Sequence, residues 1–366
     1  MITPGLIKRI LVVLLFCAGL VPVCPAVTAR TRGKSKHPTA LELLDKYAET
    51  QDRLQSFRLK SKDMINASSS FKGARNRPEY RETDFRFDGH RSSCRTHIWG
   101  DVGKRSLTRN QAMYYSTLWN GKSFIRHSRR SDLSNLGRAV IHNDKKRGEK
   151  LGKETVSRTY QGHSLMGYFY GDDERVDSIL RQAASISVRR ENEKVNGIDC
   201  FVVDATTLEH GRYTLWIDPE HGYNIAKAEL RRDGKHRHKF YGRPMREDEK
   251  ILASLENVRF KKIDNVWVPM EADDSVNRTW DKDQDFYRYK NHHERVEFVL
   301  NPDHEALNSF ASDDIPNGAK VYISGWQINY TWQNGKVVDK DGREVDVDKL
   351  IKAESEKVKK RKPKRK

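Results

Sequence analysis

Residues 39–60, TALELLDKYAETQDRLQSFRLK, decide the fold, because the spacing of their apolar side chains changes midway. Thr39 can cap a helix, and Glu42 stands three residues later, at the matching position of a capping box. Apolar residues then recur at helical spacing: Leu41, Leu44, Ala48 and Leu54. This pattern predicts an amphipathic helix that begins after Thr39.

From Phe57 onward the apolar period is two, which is typical of a half-buried strand. Phe57 and Leu59 alternate with Arg58 and Lys60, and similar runs follow along the chain. Further strands are predicted at 185–189, 200–205, 213–217, 224–230, 255–263, 266–270 and 294–300, with a second helix at 172–184. Because short turn sequences join the strands, we predict an α+β fold whose sheet is an antiparallel meander.

The predicted hairpin around Asn120-Gly121 has apolar residues on both of its faces. With a two-residue turn, Trp119 would pair with Lys122, and Thr117 with Phe124. One face then carries Met113, Tyr115, Trp119 and Phe124, and the other carries Tyr114, Leu118 and Ile125. We therefore expect both sides to be covered, either by a thick core or by a curved sheet whose helices leave an apolar pocket.

The order of helix and meander resembles that of the exported LolA/LolB-like proteins, the periplasmic lipoprotein carriers and their relatives. ALELLDKYAETQDRLQSFRLK (40–60) resembles their opening helix and first strand. VNGIDCFVVDATTLEHGRYTLWIDPEHGYNIAKAEL (195–230) is similar to their paired central strands, and VRFKKIDNVWVPMEADDSV (258–276) to the hairpin that follows. The resemblance covers roughly 39–300. It implies an incomplete β-barrel around a hydrophobic cavity, with two or more helices on the concave side.

The resemblance also implies which residues face an apolar ligand. The expected lining is Leu59, Phe85, Phe87, Tyr115, Leu118, Trp119, Phe124 and Leu215. The expected organisation is a signal peptide (1–29), a mobile basic start (30–38), a LolA-like half-barrel domain (39–310), a C-terminal hairpin extension (311–348) and a disordered basic tail (349–366).

Residues 1–29 have the layout of a secretory signal peptide. Lys8 and Arg9 form a positive n-region, residues 10–23 are almost wholly apolar, and Val27-Thr28-Ala29 offers small residues for cleavage. A retained membrane anchor is the alternative, although the apolar run is short for a membrane span. We expect an exported protein of a bacterial periplasm or cell envelope that is soluble after signal cleavage.

The chain is strongly basic, with a formal net charge of +18, of which the predicted signal peptide carries only two cations. We expect the end of the tail to contact an anionic envelope surface. The cations concerned are Lys359, Lys360, Arg361, Lys362, Lys364, Arg365 and Lys366. A solubilising tail without a partner is the alternative. Nucleic acid is not expected as a partner, because the body cations are spread along the chain.

Cys94 and Cys200 are the two cysteines that remain after signal cleavage. In an oxidising compartment they could form a disulfide, and two separately buried thiols are the alternative.

Motifs for catalysis or cofactor binding are not found in the sequence, so we expect no enzyme activity, no cofactor and no metal. The densest histidine clusters are 236–238 and His292-His293-Glu294. They lie among Lys and Arg, which repel a metal cation, so they are expected to be solvated surface side chains.

These patterns favour a non-enzymatic protein that binds an apolar or amphiphilic ligand, such as a lipid, an acyl chain or a lipidated protein, in a half-barrel cavity. The alternative is a structural or interaction protein of the envelope with the same fold and a filled core. It would bind anionic partners through its basic surface and tail. An envelope hydrolase is a third hypothesis, since paired carboxylates need no local motif. The oligomeric state stays open.

Overall fold

The computed structural model describes residues 37–70, 78–102, 105–130, 134–142, 164–169, 172, 174–238, 243–323, 329–350 and 352, which form an α+β protein. The helices within these ranges are α1 (Ala40–Asp52), α2 (Val176–Leu180) and a helical turn at 347–350, with 3-10 turns at Arg109–Gln111 and Ser164–Met166. Its strands are β1 (Phe57–Ser69), β2 (Glu79–Phe87), β3 (Ser92–Val102), β4 (Arg105–Leu107), β5 (Met113–Trp119), β6 (Phe124–Arg130), β7 (Ser134–His142), β8 (Ser185–Val188), β9 (Glu193–Val195), β10 (Ile198–Thr207), β11 (Gly211–Asp218), β12 (Asn224–Arg232), β13 (Arg237–His238), β14 (Arg243–Pro244), β15 (Glu249–Ile263), β16 (Val266–Trp280), β17 (Asp285–Leu300), β18 (Lys320–Ile323), β19 (Asn329–Gln333) and β20 (Lys336–Val338).

Helix α1 begins with the predicted capping box. The Thr39 hydroxyl accepts a hydrogen bond from the Glu42 backbone N–H at 3.2 Å, and the Glu42 carboxylate accepts one from the Thr39 N–H at 2.7 Å. The buried face is rotated from the predicted one, since Leu41 is 50% exposed. The side chains that α1 buries are Ala40, Leu43, Leu44, Tyr47 and Gln51.

Eighteen strands form one large curved sheet. From one end, β8 and β9 both pair with β10, and the order continues β11, β12, β15, β16, β17, β1, β2, β3, β5, β6, β7, β18, β19, β20, with β4 also on β3. The sheet is not closed. Every pair is antiparallel except β7 with β18, which is parallel. The predicted meander is therefore confirmed for most of the sheet.

Helices α1 and α2 pack on one side of the sheet, called the helix side below. Helix α2 is shorter than the predicted 172–184 helix, and residues 181–184 continue it only as a turn. Segment Ser164–Phe169 also packs on the helix side. Its Leu165 and Phe169 belong to the same apolar cluster as Leu43 of α1 and Leu215 of β11. Next to β10–β12, β15 and β16, most of the core lies between the sheet on one side and α1, α2 and Ser164–Phe169 on the other.

At the β5–β18 end of the sheet, the buried side is the one that faces away from the helices. There, Leu118, Ile125 and Ile141 pack against Ile315 and Ala319 of the segment that follows β17. Strand β18 then pairs with β7, so the predicted C-terminal extension continues the main sheet instead of forming a separate flap.

The Asn120-Gly121 hairpin has a register two residues away from the predicted one. Trp119 pairs with Phe124, and Leu118 with Ile125, across a four-residue connection. A shift of two residues keeps every side chain on its predicted face. Both pairs are buried, as expected from the apolar character of both faces.

Two predicted segments lie mostly outside the described residues, namely the signal peptide (1–29) with the basic start, and the tail cations from Lys359 onward. In the described part of the chain, every helix is too short or too polar to cross a bilayer.

Candidate functional site

The eight residues predicted to line an apolar cavity do not lie together. Leu215 belongs to the cluster under α1 and α2, whereas Leu59, Phe85 and Phe87 belong to a second cluster with Phe298. Leu118 is in the third cluster, on the opposite side of the sheet. Trp119 and Phe124 are buried, and Tyr115 is 38% exposed. Leu118 faces away from the other seven residues, so its place in a shared cavity is wrong, whereas a cavity lined by the others on the helix side stays a prediction.

On the helix side, the segment Ser164–Phe169 fills part of the space between the sheet and the helices. Met166 reaches the cluster of Leu59 and Phe298, while Leu165 and Phe169 fill the cluster under α1. Burying a large apolar side chain contributes roughly 1.5–3 kcal/mol, so this plug is held firmly.

A buried ionic network lies between the apolar clusters on the helix side. His293 Nδ1 is 2.5 Å from Asp63 Oδ1, and its Nε2 is 3.2 Å from Asp274 Oδ2. Ser164 donates a hydrogen bond to Asp274 at 3.3 Å, which ties the plugging segment to the network. Burial alone would lower the pKa of His293, but Asp274 and Asp63 outweigh it and raise the pKa to about 10. His293 is therefore a buried cation at neutral pH.

The histidines of 292–294 thus divide between the two sides of the sheet. His292 is 41% exposed in its side chain and pairs with Asp273 at 2.8 Å, as expected for a surface histidine. The same expectation is wrong for His293, because alternation along β17 turns it into the core. Among the described residues, no group of three or more His, Cys, Asp or Glu side chains could hold a metal ion.

A carboxylate anchors the C-terminal segment to the opposite side of the sheet. Asp314 accepts hydrogen bonds from Tyr114 at 2.8 Å and Ser116 at 2.5 Å, and His127 Nδ1 is 3.7 Å away. Burial raises the pKa of Asp314, but the contacts from His127, Ser116 and Tyr114 outweigh it and hold the pKa well below its usual range. A buried, ionised Asp314 therefore fixes this segment over β5 and β6.

On the other side of β5, β6, β7 and β18, Trp119 and Phe124 are buried at one end, and the remainder, which we call the basic face, is exposed or half-buried. Cross-strand pairing places its side chains on the helix side, beyond the region that the helices cover. The face consists of Tyr115, Thr117, Arg126, Ser128, Arg138, Val140, Lys320 and Tyr322. These four strands contain no Asp or Glu.

The cations of the basic face lack ion-pair partners among the described residues. Arg126, Arg138 and Lys320 are exposed, and none has a carboxylate within 4 Å in the part of the chain that the structure describes. On the neighbouring strand β2, by contrast, Arg81 pairs with Glu79, and Arg86 with Asp84. Sequence reasoning missed this face, although the absence of acids from these strands was a visible signal.

Two clefts lie elsewhere on the surface. One, of about 690 Å³, lies between the β9–β10 and β15–β16 hairpins and has apolar walls from Ile198 and Phe260. His221 also lines it, stacked on Phe260 and held at 2.6 Å by Asp218. The other, of about 480 Å³, lies over β8 and β10–β12 and is mostly polar. None of the eight predicted cavity residues lines either cleft.

The two cysteines are separate thiols, so the disulfide is not formed. Cys94 is buried on the helix side with Leu59 and Phe85, whereas Cys200 is buried on the opposite side with Trp216. The two thiols therefore lie on opposite sides of the sheet. Burial raises the pKa of Cys200 to about 12, which makes it an unreactive thiol.

Comparison with known proteins assigns no family to the chain. No protein-family model matches it, and no curated protein matches it. Among solved structures, MucB in complex with MucA(peri) is 9% identical with a TM-score of 0.20, covering 73% of this chain and 95% of that chain. A conserved protein of unknown function with a hot dog fold from Alicyclobacillus acidocaldarius is 9% identical with a TM-score of 0.10, covering 70% of this chain and 85% of that chain. Scores this low carry no argument about fold details or function, and the LolA/LolB-like resemblance stays a prediction.

Proposed function

We propose that this chain is an exported, non-enzymatic binding protein with a filled, LolA-like half-barrel, which holds an anionic partner through its basic surface and tail. The observation that carries the proposal is the basic face, where exposed cations lack counter-ions among the described residues. A surface of one sign attracts a partner of the opposite sign and speeds its association. The plugged helix side supports the filled-core hypothesis over the ligand-cavity hypothesis.

The test is binding of the full chain to anionic probes at low and high salt. Vesicles containing phosphatidylglycerol and a soluble acidic polymer serve as probes, and phosphatidylcholine vesicles serve as the uncharged control. We expect binding to at least one anionic probe that weakens steeply with salt, because exposed charges are screened within about 10 Å at 0.1 M. Absence of binding to every anionic probe at low salt would refute the proposal. N-terminal sequencing of protein from its own host tests export, with cleavage after Ala29 as the expected result.

A second candidate function rests on the 690 Å³ cleft, whose size is that of a small-molecule site. Its apolar walls, Ile198 and Phe260, stand beside charged groups such as Glu271, so an amphiphilic ligand would suit it. Native mass spectrometry of protein purified from its host separates the two candidates. A co-purifying small ligand that the variant Phe260→Ala no longer retains favours the cleft, and protein without any bound ligand favours the first proposal.

A further inference from the structure

The basic face has an arrangement of charge that works against its own stability. Arg138 of β7 and Lys320 of β18 are partners in the parallel register, so two like charges stand side by side on adjacent strands. Like charges directly opposite each other in a sheet are destabilising. Neither side chain has an ion-pair partner among the described residues. Such local conflicts are typical of functional sites.

Aromatic side chains lie among these cations. The Arg138 guanidinium stacks on the ring of Tyr322 at 3.7 Å, which holds its planar donor fork in place. Tyr115 stands two positions before Thr117, the cross-strand partner of Arg126, and is 38% exposed. Tyrosine and arginine together are the residues most enriched in protein–protein hot spots.

Resting on the proposed function, we infer that the basic face is the docking surface for an acidic polypeptide segment of a partner protein. Two of the three cations that lack an ion-pair partner in the described ranges, Arg126 and Arg138, are arginines, whose forks match carboxylates in bidentate geometry. The face is four strands wide, about 14 Å at the usual strand spacing, which fits one extended or helical segment. Its exposed aromatic side chain is Tyr115, at 38%, and the exposed aliphatic residue Leu136 of β7, at 43%, is too small an apolar surface to hold a bilayer by itself.

The test compares two charge-reversal variants of the full chain. R126E/R138E alters the basic face, and the matched control K62E/K290E reverses two exposed lysines of β1 and β17 on the other side of the sheet. Both variants have the same net charge, and both keep the tail, so long-range attraction and tail binding cancel in the comparison. Equal melting temperatures for the two variants establish that folding is preserved. R126Q/R138Q, which removes charge without adding any, serves if the reversal unfolds the protein.

The probes are a fluorescent poly-glutamate peptide and vesicles of phosphatidylglycerol and phosphatidylcholine in equal parts. We expect R126E/R138E to bind the peptide roughly tenfold to a hundredfold more weakly than K62E/K290E, mainly through faster dissociation. Equal peptide affinity of the two variants would overturn the docking surface while leaving the proposed function intact. Binding of the wild-type chain to vesicles but not to the peptide would overturn the polypeptide partner, and weaker vesicle binding by R126E/R138E than by K62E/K290E would then assign the face to lipid. Binding to neither probe would refute the proposed function itself.

Discussion

Replacing His293 with glutamine is expected to lower the free energy of unfolding by about 3–5 kcal/mol, the usual cost of removing one partner from a buried ion pair. The side chains of His293 and Asp63 are at most 2% exposed, and their contact is 2.5 Å. Asp274 lies 3.2 Å from the other ring nitrogen. Without the imidazolium, two carboxylates remain in the core with less charge to balance them. Since whole-protein stabilities are about 5–15 kcal/mol, the loss is easily measured.

The same network makes the stability of the fold depend on pH, and the raised pKa of His293 determines the direction of that dependence. The pKa of His293 is about 6.5 in the unfolded chain and about 10 in the fold. The folded state therefore binds a proton that the unfolded state releases, so the stabilising contribution is complete below about pH 6.5. It is lost progressively as the pH rises toward about 10. Stability should fall over this range in the wild type, and much less in the variant.

Urea unfolding, followed by tryptophan fluorescence at several pH values between 6 and 10, measures both effects. The control is His292→Gln, the adjacent histidine with its side chain 41% exposed, which should cost less than about 1 kcal/mol. The double variant Asp63→Asn/His293→Gln removes one charge of each sign and should recover part of the loss. Equal costs for the two histidines, or a wild-type stability that does not change above pH 7, would refute the assignment of a buried imidazolium.

Three further outcomes are expected. Asp314→Asn should lower stability above about pH 4, where the wild-type carboxylate is ionised, and the difference from wild type should shrink in acid. Thermal unfolding measures this difference, with Asp313→Asn, at a side chain 53% exposed, as the matched control. Dithiothreitol should leave the melting temperature unchanged, because Cys94 and Cys200 are separate thiols, and a fall of several degrees would contradict this. A chain ending at Leu350 should unfold at the same temperature as the full chain but lose part of its low-salt binding to phosphatidylglycerol vesicles, and unaltered binding would mean that the tail is not an anchor.

Local signals in the sequence predicted local structure well. The capping box at Thr39 and Glu42 acts within one helical turn, and it forms as expected. Alternation along the Asn120-Gly121 hairpin placed each side chain on the correct face, but the register was wrong by two residues. A shift of two residues leaves alternation unchanged, so period alone does not distinguish the two registers.

The grouping of Leu118 with the other predicted cavity residues was wrong because it depended on contacts between distant parts of the chain. Leu59 and Leu118 are both apolar residues in alternating strands, and nothing in their local sequence tells that they face opposite sides of one sheet. That difference arises because the segment around Ile315 covers the far side of β5–β7. Likewise, neighbouring histidines in β17 differ because alternation turns His293 toward the buried Asp63 and Asp274, while His292 pairs with Asp273 at the surface.

The change of buried side also explains why a binding face can exist in this fold. At the β10–β17 end, the helices and Ser164–Phe169 cover the helix side, so its strands must be apolar there. At the β5–β18 end, the C-terminal segment supplies the core on the opposite side, so the helix side beyond the buried Trp119 and Phe124 has little packing role. Cations such as Arg138 and Lys320 can then stand together without disturbing the core, and their mutual repulsion is relieved when an acidic partner binds. On this reasoning, the C-terminal segment is the scaffold of the proposed binding surface, and loosening it at Asp314 should weaken partner binding before it unfolds the rest of the sheet.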